Sequence, residues 1–82
     1  MMSVIQLQIL KALSLGSLHG KELRYKINWA KSGASFYQVM GRMEENNLIS
    51  KEYVRVGLHR ETIYTITSLG RKELTINLIK VN

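Results

Sequence analysis

The sequence predicts an α+β fold that is mainly helical, and three observations support this prediction. Apolar residues recur every three or four positions in three early segments, the spacing of helices that bury one face. Two later segments are rich in Val, Ile, Thr and Tyr with near alternation, and a glycine-bearing loop between them predicts a β-hairpin. The 82 residues include no proline or cysteine and are 45% hydrophobic, which is typical of one folded domain spanning residues 1–82.

The first predicted helix runs from about Ser3 to Leu15, and Gly16 follows where a helix would stop. Its apolar stripe is wider than one helix face. Such a stripe suggests burial on two sides, against the protein's own core and against a partner subunit. A chain of this size without disulfides gains stability from self-association, so we expect a homodimer.

Two shorter helices are predicted next, from Lys21 to Trp29 and from Ala34 to Asn46. The residues from Ser17 to Gly20 form a connector ahead of the second helix. Ser32 lies where its hydroxyl can cap the third helix by accepting a backbone hydrogen bond. The inward stripe of this third helix is predicted to be Phe36, Val39, Met40 and Met43.

The rest of the chain predicts a hairpin and a last helix. The strands Leu48–Val56 and Glu61–Thr67 flank the loop Gly57–Arg60. The final segment, Ser68–Asn82, is predicted to be helical, although its β-branched residues would also suit an extended tail. Three helices, a two-stranded hairpin and a C-terminal helix make up the winged form of the helix-turn-helix. In that fold the second and third helices form the reading unit and the hairpin forms the wing.

The charge balance indicates a polyanionic partner. Twelve Lys and Arg stand against six acidic residues, which gives a net charge of +6 and a pI near 9.9. Each neutralised phosphate of a nucleic acid releases a condensed counterion, so a basic protein gains affinity for DNA. A generally basic protein without such a partner is the alternative, and the placement of the charges decides between them.

Three stretches of the sequence resemble the PadR-like family of transcriptional regulators. Residues 16–23, GSLHGKEL, are similar to GPLHGYEL of that family. Residues 34–49, ASFYQVMGRMEENNLI, are similar to its recognition helix, GxLYxxLxRLEExGLI. Residues 60–71, RETIYTITSLGR, resemble its wing strand and following turn, RRKYYxLTxxGR. Together, in this order, the three motifs imply a winged-helix regulator whose partner is double-stranded DNA.

The chain departs from the family pattern at several positions. Ser17 replaces a Pro, Ala34 and Asn47 each replace a Gly, Phe36 replaces a Leu, and Glu61 replaces the second Arg of the wing. Family members often carry a long C-terminal helix or helical domain that builds the dimer. Here only about two helical turns follow Leu74. We therefore expect a minimal dimer sealed by the first and last helices.

The third helix is expected to contact base edges mainly with its N-terminal half. Gln38 is the candidate base reader, since its amide can pair with adenine, and Arg42 can reach guanine or a phosphate. Ser35 and Tyr37 offer hydroxyls to phosphate oxygens. Gly41 has no side chain and allows a close approach to DNA.

Each of these assignments has a structural alternative. Tyr37 can instead pack half-buried between the second and third helices, and Gln38 can simply be solvated. Arg42 can pair with Glu44 or Glu45 in a weak surface ion pair. The two acids of this helix lie near its C-terminal end, away from the proposed DNA face, and this placement favours DNA contact.

The wing and the first turns supply the remaining candidate DNA contacts. Arg55, His59 and Arg60 lie around the predicted wing tip, from which arginine can enter the minor groove. The alternative is a charged hairpin end that keeps an edge strand soluble. Contacts to the phosphate backbone, which position a protein without reading sequence, are expected from Lys21, Arg24, Lys31 and Lys51.

The sequence argues against an enzyme, a metal site and a cofactor. It has no glycine-rich loop with lysine, no Ser-His-acid set and no aspartate. His19 and His59 are predicted to lie far apart. By analogy with the family, His19 fastens the turn before the second helix, and Trp29 is expected to close that helix by packing. No stretch reads as a membrane span or a signal peptide, so a cytoplasmic location is expected.

These observations predict a sequence-specific regulator, by default a repressor, that binds a pseudo-palindromic site in double-stranded DNA as a homodimer. Two alternatives use the same fold. An architectural DNA-binding protein would use the same basic face with little sequence preference. A winged-helix protein-interaction module would not need the basic residues of the third helix and wing.

Overall fold

The computed structural model describes residues 2–81, with side chains described as far as Leu78. This part of the chain forms four helices and a three-stranded antiparallel sheet of order β1-β3-β2. The mainly helical α+β prediction is confirmed, and the predicted elements occur in the predicted order. Their bounds are α1 (Val4–Leu13), β1 (Leu18–His19), α2 (Gly20–Lys26), α3 (Gly33–Glu45), β2 (Ile49–Val56), β3 (His59–Ile66) and α4 (Ser68–Val81).

Side-chain caps define where α1 and α3 begin. The Ser3 hydroxyl accepts a hydrogen bond from the Gln6 backbone at 3.2 Å, and the Gln6 side chain accepts one from the Ser3 backbone at 3.2 Å. Ser32 accepts from the Ser35 backbone N–H at 3.2 Å, which confirms the predicted cap. Each cap satisfies donors that the first helical turn leaves unpaired.

Two asparagines end α2 and α3 in the same way. Asn28 and Asn47 have φ values of 58° and 60°, the left-handed conformation that asparagine tolerates. The residues after them, Trp29 and Leu48, donate backbone hydrogen bonds of 2.9 Å to carbonyls near the helix ends, as in a Schellman motif. For α3 this agrees with the predicted end at Asn46. The prediction that α2 extends to Trp29 is wrong, because Asn28 turns the chain after Lys26.

The strand β1 was not predicted. The segment expected to be a plain connector instead pairs with β3, Leu18 opposite Tyr64 and His19 opposite Ile63. A 2.7 Å hydrogen bond between the hydroxyls of Ser17 and Thr65 extends this contact. This edge strand fixes the start of α2 against the wing.

The hairpin of β2 and β3 closes with a two-residue turn, Gly57–Leu58, between the paired residues Val56 and His59. The φ of Gly57 is 63°, which matches a type II′ turn with glycine in its first central position. The predicted loop Gly57–Arg60 is therefore too long, since His59 and Arg60 belong to β3.

The core draws on every helix and on both long strands. Phe36 lies at its centre, with edge-to-face contacts to Trp29 at 5.5 Å and Tyr64 at 6.5 Å between ring centroids. Val39, predicted to face inward, is only partly buried and packs against the edge of the core. The buried hydrophobic side chains are those of Ile9, Leu10, Leu13, Leu23, Phe36, Met40, Met43, Leu48, Ile49, Tyr64, Ile66 and Leu74.

A hydrogen-bonded joint connects the end of α3 to the start of α4. The Thr67 hydroxyl donates to the Asn47 carbonyl at 2.6 Å and accepts from the Gly70 backbone N–H at 2.9 Å. Gly70 is buried, and a Cβ there would overlap the Leu48 carbonyl oxygen and lie 2.8 Å from Ile66 Cγ1. The last segment is thus a helix and not an extended tail. None of the described helices combines the length and apolar character needed to cross a membrane.

Gly70→Ala is expected to lower the free energy of unfolding by at least about 2 kcal/mol, because the added methyl overlaps backbone that cannot move away. Urea denaturation followed by circular dichroism measures the change. Gly41→Ala is the matched control, since a Cβ at Gly41 would meet nothing within 4 Å. Equal stability of Gly70→Ala and the wild type would contradict this account of the joint.

Candidate nucleic-acid interface

The exposed face of α3 is an uncovered ridge. The helix buries Phe36, Met40 and Met43, and the helical period places Ala34, Gln38 and Gly41 along the opposite side. Ala34 and Gln38 are exposed, and nothing lies within 4 Å of a Cβ built at Gly41. The ridge therefore has one long polar side chain, Gln38, between two residues with little or no side chain.

Ser35 and Arg42 flank this ridge on one side. Ser35 is half-buried, and its hydroxyl lies 3.0 Å from that of Ser32. Arg42 is exposed and forms no ion pair with any described residue. The alternative pairing of Arg42 with Glu44 is not formed, because Glu44 lies 3.4 Å from the Lys51 ammonium instead. Arg42 is thus available to an external anion.

Tyr37, on the other flank, packs against the core and stays partly exposed. Its ring packs edge-to-face on Phe36 at 5.3 Å, yet 47% of the residue remains exposed. Its hydroxyl lies 3.3 Å from the position of a Cβ at Gly20, and the Tyr64 ring lies 3.4 Å from it. A side chain at residue 20 would therefore be in tight contact with the Tyr37 hydroxyl, which glycine avoids.

Arg24 lies over this aromatic cluster. Its guanidinium carbon is 5.8 Å from the Phe36 ring centroid and 5.9 Å from that of Tyr37, within the range of cation–π attraction. Its Nε is buried and has no hydrogen-bond partner among the described residues. Arg24 is thus a packed residue beside Gly33, where α3 begins, whereas Lys21 and Lys31 are fully exposed cations.

The wing tip concentrates positive charge. Arg55, His59 and Arg60 are all exposed, and the strand register places Arg55 directly opposite Arg60. Because the neighbouring pair, Val56 and His59, closes the turn, the arginines occupy a non-hydrogen-bonded pair, where side chains are closest. Like charges in that position destabilise a hairpin. An anion held between them would offset this repulsion.

Tyr53 was missed by the sequence analysis and holds the wing arginine in place. The Arg60 guanidinium carbon lies 4.4 Å from the Tyr53 ring centroid, and the Lys51 ammonium lies 5.7 Å from it. The hydrogen bond to Glu44, and secondarily that to Tyr53, raises the pKa of Lys51 above its usual value. Lys51 therefore ties the base of the wing to α3. In its predicted phosphate contact, the phosphate would compete with Glu44 for the Lys51 ammonium.

A groove of about 600 Å³ separates α2 from the edge of the wing. Both histidines line it, although the register of β1 places His19 opposite Ile63, four residues along β3 from His59. The prediction that they do not share a metal site is not tested by this placement. His19 does fasten the turn before α2, since its backbone N–H donates to Glu22 at 3.2 Å and its Nδ1 lies 2.7 Å from Glu61 Oε2. The groove residues are His19, Gly20, Lys21, Glu22, Arg24, Tyr37, His59, Arg60, Glu61 and Thr62.

Glu22 and Glu61 are groove residues that the sequence analysis did not assign to a site. The signal for Glu61 was its departure from the arginine of the family pattern. Trp29 packs as predicted, with its indole N–H donating to the Ser32 carbonyl at 2.9 Å. Within residues 2–81, no three His, Cys, Asp or Glu side chains cluster as metal ligands would.

Comparison with known proteins agrees with this arrangement. A sequence model of the transcriptional regulator PadR-like family matches residues 9–76. No curated protein sequence matches the chain significantly. A PadR-like transcriptional regulator from Bacillus cereus is 28% identical, with a TM-score of 0.75 over 88% of this chain and 75% of its own.

Two further solved structures share the fold at 23% identity and a TM-score of 0.84. A PadR family transcription regulator from Clostridium difficile R20291 aligns over 95% of this chain and 86% of its own. Bacillus subtilis PadR, solved in complex with operator DNA, aligns over 96% of this chain and 49% of its own. The chain thus spans about half the length of that relative. Because the family match covers most of the sequence, and the fold agrees with it, the chain belongs to the PadR-like family of winged-helix, DNA-binding transcriptional regulators, which are not enzymes.

Proposed function

We propose that the protein is a sequence-specific repressor that binds a pseudo-palindromic site in double-stranded DNA as a homodimer. The observation that carries this proposal is the uncovered ridge of α3, with cations of α2 and the wing around it. The Bacillus subtilis relative was solved with operator DNA, which supports DNA as the partner of this surface. Such a regulator would act in the cytoplasm.

Base reading is assigned to the ridge. A helix of this width fits the major groove, and the small Ala34 and Gly41 allow it to lie deep. Gln38 is exposed between them, so its amide can pair with the N6 and N7 atoms of adenine. The Ala34 methyl can contact a thymine methyl. Arg42 can reach guanine or a phosphate from the flank of the ridge.

Positioning on the duplex is assigned to the surrounding cations and hydroxyls. Lys21, Lys31 and Lys51, the outward N–H groups of Arg24, and the hydroxyls of Ser35 and Tyr37 serve as phosphate donors. Arg55 and Arg60, with His59 beside them, enter the minor groove, where a narrow A·T segment has the most negative potential. The close Arg55–Arg60 pair is stabilised when the DNA supplies negative charge between the strands.

Dimerisation is assigned to α1 and α4. Leu69 and Leu78 of α4 are 41% and 47% exposed, and Val4 of α1 is 73% exposed. A second groove joins the two helices and includes Met2 and Ile76 in its walls. Pairing of two copies through these helices would present two α3 ridges to half-sites about 10 bp apart, or a multiple of that spacing.

Selection of binding sites from a random duplex pool at fixed salt tests the proposal. The wild type is expected to recover a pseudo-palindromic consensus. Gln38→Ala should lose the preference at one position of each half-site, because each bidentate pair contributes about 1–3 kcal/mol of discrimination. Lys21→Ala should weaken binding to all sequences alike. A wild-type pool without a consensus would contradict the proposal and favour an architectural DNA-binding protein.

Gly41→Ala is expected to separate stability from DNA binding. Replacing an unobstructed helical glycine with alanine raises the free energy of unfolding by about 0.5–1 kcal/mol. The same methyl stands on the ridge and should weaken binding to the selected duplex several-fold. Urea denaturation and fluorescence anisotropy measure the two effects. Unchanged affinity would show that α3 does not approach the DNA along this face.

Leu78→Glu is expected to shift the protein from dimer to monomer, because it places a charge in the proposed contact of α4. Sedimentation equilibrium measures the mass, and anisotropy should show weaker binding to the two-half-site duplex. Leu58→Glu is the matched control for the mass measurement alone, since Leu58 is fully exposed but lies at the wing tip, which the proposal places against DNA. A wild type that stays monomeric on its duplex would overturn the dimer assignment.

A further inference from the structure

The contact between His19 and Glu61 joins the reading unit to the wing. His19 Nδ1 lies 2.7 Å from Glu61 Oε2, and the side chains are 36% and 44% exposed. His19 belongs to β1, directly before α2, and Glu61 belongs to β3. The contact therefore lines the groove between α2 and the wing, with the Nδ1 atom itself buried and the rest of the two side chains partly exposed.

The groove is lined by side chains of four elements, and His19 comes from β1. From α2 it receives Lys21, Glu22 and Arg24, and from α3 the half-buried Tyr37. From β3 it receives His59, Arg60 and Glu61. With neutral imidazoles the groove carries three cations and two carboxylates. Protonation of both histidines, the only two in the sequence, would add two positive charges to this small excess.

We propose that this groove holds a phosphodiester of the bound DNA and that DNA binding takes up protons at His19 and, secondarily, at His59. This proposal rests on the proposed function and adds a pH dependence to it. Two donors that line the groove suit a phosphodiester, the exposed Lys21 ammonium and the Tyr37 hydroxyl.

The carboxylate of Glu61 explains why DNA binding would be coupled to proton uptake. Its carboxylate stands where the family resemblance implies arginine, and it would repel a phosphodiester in the groove. A protonated His19 at 2.7 Å compensates this charge, and the phosphodiester in turn favours the protonated imidazole. His59 lies on the same face of β3 as Glu61, since alternate residues of a strand share a face, and it responds in the same direction.

The direction of the pH effect on DNA affinity follows from the thermodynamic linkage between proton binding and DNA binding. If the complex binds more protons than the free protein, affinity for DNA rises as pH falls through the range in which imidazole titrates. Two neighbouring groups titrate well above that range. The hydrogen bond to Glu44 raises the pKa of Lys51, and burial raises the pKa of Tyr64 to about 12. The response therefore falls between about pH 6 and pH 8.

Fluorescence anisotropy of the wild type with its selected duplex, at constant ionic strength from pH 6 to pH 8.5, tests the proposal. We expect affinity to be about three- to tenfold higher at pH 6 than at pH 8, as proton uptake by one or two histidines predicts. Affinity that is independent of pH would overturn the proton linkage and leave the proposed function intact. An absence of binding at every pH would overturn the proposed function itself.

Variants locate the linked protons. Glu61→Gln should raise affinity at pH 8 and reduce the pH response, because it removes the charge that His19 must compensate. His19→Gln should remove most of the response, and His59→Gln, the matched control, should remove the smaller part. Circular dichroism checks that each variant folds. If His19→Gln does not fold, the pH response of Glu61→Gln still tests whether this pair takes up the protons. A full response in both Glu61→Gln and His19→Gln would overturn the assignment to this pair.

Discussion

The packing of Phe36 determines how the rest of the molecule presents α3. Its ring makes edge-to-face contacts with Trp29, Tyr37 and Tyr64, which come from the loop after α2, from α3 itself and from β3. This one side chain therefore fixes α3 against both the segment that precedes it and the sheet. Since Phe36 faces inward, the helical period leaves the Gln38 side open. Arg24, stacked over the same cluster, brings a positive charge to the start of α3.

Elements built from local patterns could be predicted from the sequence. The Ser32 cap, the Asn47 terminator and the glycine of the hairpin turn each act on neighbouring backbone, so short sequence signals identify them. The strand β1 could not be predicted in this way. Two residues carry too little pattern to mark a strand, and their pairing depends on β3, more than forty residues later in the chain. The early end of α2 was signalled by Asn28, but the apolar spacing that continues to Ala30 obscured it.

The residues of the candidate site also divide into those that local sequence patterns predict and those that depend on distant parts of the chain. Exposure of Gln38, Arg42 and the wing arginines follows from helix and strand periods, and the structure shows these side chains exposed. The positions of Arg24 and Glu61 depend on neighbours from other elements. Arg24 had the pattern of a surface cation and is instead stacked on aromatic rings. The only sequence signal at Glu61 was that it replaces an arginine of the family pattern. Its contact with His19 exists because β1 pairs with β3. Tertiary contacts, more than composition, thus decide which charges are free to meet a polyanion.

The joint at Thr67 has a consequence for how such a molecule is built into an assembly. One hydroxyl holds the carbonyl that follows α3 and the backbone N–H that begins α4, and buried Gly70 keeps the two segments in direct backbone contact. The two helices therefore share one hydrogen-bonded joint. In the proposed dimer, a rotation of α4 against a neighbouring copy would turn α3 with it and would change the distance between the two copies of α3.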